Sequence, residues 1–144
     1  MQTLPERSSP LIFVAEDDAH IRELIVTRLV IAGYRTATAK DGAEAIRGIR
    51  ESRPSAIILD INMPKASGFD VLSHLRTSRD LSSIPVLVLT ARGAPEDVRE
   101  ALRLGARDYL TKPFDDRSFL MRISRLLRPP RVKTMADTED VELL

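Results

Sequence analysis

Ala56-Ile57-Ile58-Leu59-Asp60-Ile61-Asn62-Met63-Pro64 is the stretch that decides the fold. Four apolar residues run without a polar break and stop at a carboxylate. A strand with one wet face would alternate. A run that is apolar at every position is buried on both faces, as in a parallel sheet covered by helices. Three other runs end in the same manner. Leu11-Ile12-Phe13-Val14-Ala15 ends in Glu16-Asp17-Asp18, Val86-Leu87-Val88-Leu89 ends in Thr90-Ala91, and the run around Tyr109-Leu110 ends in Thr111-Lys112-Pro113. Open parallel sheets carry their chemistry at the carboxyl ends of the strands. Three acids, a hydroxyl and a lysine are therefore expected along one edge of one sheet.

The segments between these runs read as helices. Ile21, Leu24, Ile25 and Leu29 recur at helical spacing, and Gly33 suits the left-handed stop that follows. Tyr34 to Ala39 alternates weakly and reads as a strand. Asp41 with Glu44, and Ser67 with Asp70, have the spacing of capping boxes. Pro95 suits the first turn of a helix that carries Val98, Ala101 and Leu102 and stops at Gly105. Phe119, Ile123, Leu126 and Leu127 mark a last helix, and Pro129-Pro130 ends it. Five strands alternating with five helices predict an α/β fold. Its core is a doubly wound five-stranded parallel sheet with right-handed crossovers and helices on both faces. The expected organisation is a flexible lead over residues 1–10, a domain over 11–128, and a polar tail or linker over 129–144.

Composition narrows the function. A chain of 144 residues with a net charge of +1 has no strong electrostatic grip on nucleic acid. It has no cysteine, which removes disulfide and thiolate chemistry, and only His20 and His74 as histidines. No apolar stretch approaches a membrane span, and Met1 to Pro10 lacks the apolar core of a signal peptide. The expectation is a soluble cytoplasmic protein with no direct nucleic-acid or membrane partner. Carboxylates gathered at one edge repel one another and resist desolvation. A hard divalent cation relieves both, and Mg2+ favours oxygen ligands in octahedral geometry. Asp17 and Asp60 are expected as direct ligands, Glu16 through water, and the main-chain oxygen of Asn62 as a further donor. Asp18 is expected to cap the following helix.

Glu16-Asp17-Asp18, Asp60 with Met63-Pro64, Thr90-Ala91 and Lys112-Pro113-Phe114 together resemble the receiver domain of bacterial two-component response regulators, over about residues 10–128. The resemblance implies a flavodoxin-like (βα)5 fold. In it Asp60 accepts a phosphoryl group from a sensor histidine kinase or a histidine phosphotransfer protein, and no turnover of a small substrate is expected. It implies that Lys112, the Thr90 hydroxyl and the Ala91 N–H hold the phosphoryl oxygens, and that Tyr109 turns inward as the switch. Asn62 and Arg92 tune the lifetime of the phosphate, and Lys112-Pro113 is a cis peptide. The first helix meets the kinase, with Ile21 and Leu24 divided between core and partner. A downstream protein target reads the face formed by the fourth helix, fifth strand and fifth helix. Asp108 and Arg122 pair within the domain or between subunits, leaving a phosphorylation-dependent homodimer open. Residues 129–144 are too few for a DNA-binding module, so a single-domain regulator is expected. The alternative is a receiver truncated from a longer DNA-binding or enzymatic regulator. A magnesium-dependent phosphohydrolase would want a second acid where Asn62 stands.

Overall fold

The computed structural model describes residues 8–91 and 93–128. Strands and helices alternate: β1 (Leu11–Ala15), α1 (Ala19–Ile31), β2 (Arg35–Ala39), α2 (Gly42–Ser52), β3 (Ala56–Asp60), α3 (Gly68–Thr77), β4 (Val86–Ala91), α4 (Pro95–Arg103), β5 (Asp108–Lys112) and α5 (Asp116–Leu126). The sheet order is β2-β1-β3-β4-β5, and all four pairings are parallel. Succession reverses between β1 and β3, so loops leaving these neighbours diverge to opposite faces and leave a crevice at their carboxyl ends.

The two faces carry separate cores. Phe13, Ala15, Ile57, Leu59 and Val88 pack with Ile49, Val71, Leu72 and Ala101 from α2, α3 and α4. Ile12, Val14, Ile58, Leu87 and Leu89 pack with Ile25, Leu29, Phe119 and Ile123 from α1 and α5. Successive strand residues thus serve opposite cores, which is why the run at 56–59 has no polar position. Two strands run further than their apolar stretches. Asp60 ends β3 inside the ladder opposite Leu89, and β4 continues to Ala91, opposite Lys112. Backbone pairing therefore fixes the polar tips as firmly as the core beneath them.

Caps explain where the helices start. The Asp18 side chain accepts from the N–H groups of His20 and Ile21. Ser67 and Asp70 form a reciprocal capping box on α3. Asp41 accepts from the Glu44 N–H at 2.8 Å, giving α2 the forward half of the expected box. Helix α1 carries apolar residues around much of its girth, with Ile25 and Leu29 buried and Leu24 and Ile31 exposed. Ion pairs fasten α5 on two sides: Arg28 of α1 to Asp116, and Arg122 to Asp108 of β5 at 2.7 Å.

Helix α2 sits close to the sheet because Gly48 has no side chain. A Cβ there would lie 2.6 Å from the Phe13 ring. The ring is enclosed and cannot swing away without opening a void. Gly48→Ala should therefore destabilise the domain by about 1–3 kcal/mol, the usual cost of overpacking. Urea unfolding measures this, and a midpoint equal to wild type would contradict the packing.

Candidate functional site

The carboxyl edge of the sheet gathers Glu16 from the end of β1, Asp60 from the end of β3 and Lys112 from the end of β5, with Asp17 at the rim. One carboxylate oxygen from each of Glu16, Asp17 and Asp60 lies within 4.8 Å of the other two. Glu16 and Asp60 are buried, whereas Asp17 is exposed. Lys112 Nζ lies 2.7 Å from Glu16 Oε1 and 3.3 Å from Asp60 Oδ2. The short contact to Glu16 Oε1 is an ion pair; among the described residues no well-aligned hydrogen bond reaches that oxygen. Asp60 is held from its other oxygen by the Asn62 N–H, which donates to Oδ1 at 3.1 Å.

Titration follows from this crowding. Burial, reinforced by a hydrogen bond with Asp60 and by the negative charge of that residue, pushes the Glu16 carboxyl up to about 8, against the pull of Lys112. Asp17 is also pushed upward by desolvation, but bonds with Glu16 and Asp60 outweigh this and hold it below its usual range. Desolvation acts to lower Lys112, and its contacts with Glu16 and Asp60 more than offset it, so its value is raised. Near neutral pH the cluster retains a proton that isolated carboxylates would have lost.

An all-oxygen donor set with an orphaned buried oxygen suits a hard divalent cation. The acidic triad is thus consistent with a Mg2+ site. A guanidinium that the sequence reading missed steadies it: Arg22 Nη1 donates to the carbonyls of Glu16 at 2.8 Å and Asp17 at 3.4 Å. Its only sequence signal is its place one turn into α1.

The remaining predicted residues occupy distinct stations. Thr90 is buried, and its hydroxyl donates to the Ala91 carbonyl at 3.0 Å. Tyr109 is partly exposed, with the Arg122 guanidinium 5.9 Å from its ring centroid. It lines a hollow of about 440 Å³ with Ala91, Pro95, Val98 and Thr111. The Lys112–Pro113 peptide is cis. Arg92 lies outside the described residues, as do residues 1–7 and 129–144. Beside Lys112, the residues Ile21, Leu24, Pro113 and Phe114 line a second, mainly apolar hollow of about 370 Å³.

The family model for the response regulator receiver domain matches residues 12–124. The transcriptional regulatory protein PrrA of Mycobacterium tuberculosis is 42% identical over 121 residues, covering 84% of this chain and 51% of PrrA. The chain thus spans about half the length of the curated relatives it matches. Among solved structures, the chemotaxis protein CheY4 of Vibrio cholerae superposes with a TM-score of 0.79 at 32% identity, covering 83% of this chain and 100% of CheY4. The receiver domain of the sensor histidine kinase PA1611 from Pseudomonas aeruginosa, which has a magnesium ion coordinated in its active site cleft, gives 0.77 at 28% identity and covers 83% of this chain and 98% of that domain.

The raised Glu16 value sets a stability trend. Its carboxyl holds a proton in the folded state up to about 8 but releases it near the ordinary 4.5 when unfolded. The folded state therefore binds more protons between these values, and this contribution is complete below the lower value and lost as pH rises through the upper one. In metal-free buffer the thermal midpoint of Glu16→Gln should gain on wild type progressively across that window. A constant difference between the two across the window would show that Glu16 ionises normally.

Proposed function

The chain belongs to the response regulator receiver family, and on that premise we propose that Asp60 is its phosphoacceptor. Receivers are signalling phosphoacceptors of two-component systems, phosphorylated by histidine kinases, rather than turnover enzymes. Here the donor is the phosphohistidine of a sensor kinase or of a histidine phosphotransfer protein. The observation that carries the assignment is the Asp60 carboxylate gripped at both ends, by the Asn62 N–H at Oδ1 and by Lys112 Nζ at Oδ2.

That grip orients the nucleophile before a donor arrives. An Asp60 oxygen attacks phosphorus in line, the new O–P bond forms as the P–N bond to histidine breaks, and the imidazole leaves. Lys112 shifts from the carboxylates onto the phosphoryl oxygens as a mobile point charge. The Thr90 hydroxyl leaves the Ala91 carbonyl and donates to a phosphoryl oxygen, and the Ala91 N–H donates beside it. Bound by Asp17 and Asp60, by Glu16 through water and by the Asn62 main-chain oxygen, Mg2+ would neutralise charge on the transferring oxygens. Asn62 and Arg92 set how long the acyl phosphate survives a hydrolytic water.

The product adds about −1.5 to −2 charge at neutral pH. Movement of Thr90 draws the Tyr109 ring inward, off the Arg122 guanidinium, and remodels the face formed by α4, β5 and α5. A downstream protein reads that face. The kinase approaches over Leu24 and the hollow beside Lys112, where an apolar rim surrounds the reactive edge. In the first reading of output, residues 11–128 act by this contact alone, as a single-domain regulator. A second reading is favoured by the chain's span of about half the length of PrrA-type regulators. In it the receiver controls an attached DNA-binding module. The length of the complete reading frame separates the two.

A low-molecular-weight acyl phosphate should label the protein once per chain, with Mg2+ required and Asp60→Asn unlabelled. Equal labelling of that variant, read by intact mass, would place the acceptor elsewhere. Lys112→Ala should keep the fold but slow labelling by about 10²-fold, the scale of removing one electrostatic stabiliser. An unchanged rate in stopped-flow phosphorylation would remove Lys112 from the mechanism.

A further inference from the structure

The loop that follows Asp60 is clamped from outside by a helix with no residue in the acid cluster. After Asp60 the chain runs through the buried Ile61 and Met63 to Gly68, whose N–H donates back to the Ile61 carbonyl at 2.8 Å. That bond closes 61–68 into one unit. Within it Lys65 has φ 61° and Ala66 has φ 157°, both in the positive-φ region that side-chain-bearing residues disfavour. Two successive residues of this kind persist only where their surroundings over-determine them.

Gly42, the first residue of α2, supplies that constraint. It is buried, and its N–H donates to the Pro64 carbonyl at 3.4 Å. A Cβ at Gly42 would overlap the Ala66 carbonyl oxygen and sit 2.6 Å from the Ala66 Cβ. The backbone of Gly42 itself needs no positive φ, so glycine is required there by the neighbour rather than by local conformation. With any side chain present, the Ala66 carbonyl must retreat by about 1 Å or more to reach ordinary contact. The closed loop passes that displacement to Asn62, whose N–H positions Asp60 Oδ1.

We propose that Gly42 is a positioning residue for phosphoryl acceptance: the bare start of α2 seats the strained 65–66 segment and thereby fixes Asn62 and the Asp60 carboxylate. This rests on Asp60 being the phosphoacceptor, and it adds a determinant outside the acid, hydroxyl and lysine set. Misplacement on this scale is felt strongly in reactions that depend on alignment.

The test uses Gly42→Ala, Ala66→Gly and the double variant in the full chain. Gly42→Ala should lower both Mg2+ affinity, read by calorimetry, and the acyl phosphate labelling rate, each by about tenfold or more. Ala66→Gly frees the carbonyl to move and removes the facing methyl. Alone it should change both readouts by less than about twofold, and in the double variant it should restore most of the loss, a coupling that distant sites would not give. Backbone amide resonances of residues 60–68 should shift in metal-free Gly42→Ala and return in the double variant, a readout that needs no phosphate. If Gly42→Ala fails to fold, Ala66→Val presses the same contact from the loop side and should reproduce the losses. Affinity and rate within twofold of wild type in a folded variant, or losses that Ala66→Gly does not restore, would overturn the role of Gly42. A wild-type protein that takes no phosphate would instead defeat the phosphoacceptor assignment and leave the amide shifts standing.

Discussion

Everything at the carboxyl edge answers to one constraint, the burial of Glu16 against Asp60. Two full charges whose oxygens lie within 4.8 Å of each other repel by roughly 3–4 kcal/mol at an effective dielectric near 20, several times what an exposed ion pair returns. The fold answers with Lys112, placed 2.7 Å from one carboxylate and 3.3 Å from the other, and with a proton retained on Glu16. Neither remedy is complete, since one lysine faces three carboxylates and, among the described residues, no well-aligned hydrogen bond reaches a buried oxygen of Glu16. An edge that is under-neutralised at rest is one that a divalent cation can improve. The same imbalance that costs stability thus supplies affinity.

The parallel ladder is what brings these groups together. Positions far apart in the chain reach one pocket because β1, β3, β4 and β5 all end on the same side; Asp60, Thr90 and Lys112 are held by strand pairing, and Glu16 and Asp17 follow directly after β1. Side chains on rigid strand ends are located more closely than those on mobile loops. The neighbouring loops then supply adjustment: the Asn62 N–H at Asp60, the Arg22 guanidinium under the Glu16–Asp17 turn, and the glycine contact between α2 and residue 66.

Much of this was legible in the residues. Unbroken apolar runs located the buried strands, and Asp18, Ser67 and Asp70 marked helix starts by local chemistry alone. Glu16, Asp17, Asp60 and Lys112 stood out because each follows such a run, and topology brought them to one place. The less legible features are those set by tertiary approach. The sequence contains Gly42 at the start and Gly48 in the interior of one helical pattern, and no residue-type rule asks for glycine at either; only the packing explains why each lacks a side chain. Lys65 and Ala66 carry no residue-type signal for positive φ. The pairing of Arg28 with Asp116 spans two helices whose adjacency follows from the doubly wound order. The Asp108–Arg122 contact, open beforehand between one subunit and two, is made within the chain. Thr90, singled out by its place after a strand, points its hydroxyl at a backbone carbonyl, a resting partner that no pattern of residues specifies.

Helix α5 leaves the reactive edge at Asp116 and returns along the sheet to Leu126. Its 11 residues carry the chain about 16 Å away, to the opposite end of the domain. Whatever is tethered after residue 128 is therefore launched from the antipode of the chemistry. The two ion pairs that brace α5, Arg28–Asp116 and Arg122–Asp108, tie this departing segment to α1 and β5, so the point where the described chain leaves the domain is anchored to the flank rather than to the acidic edge.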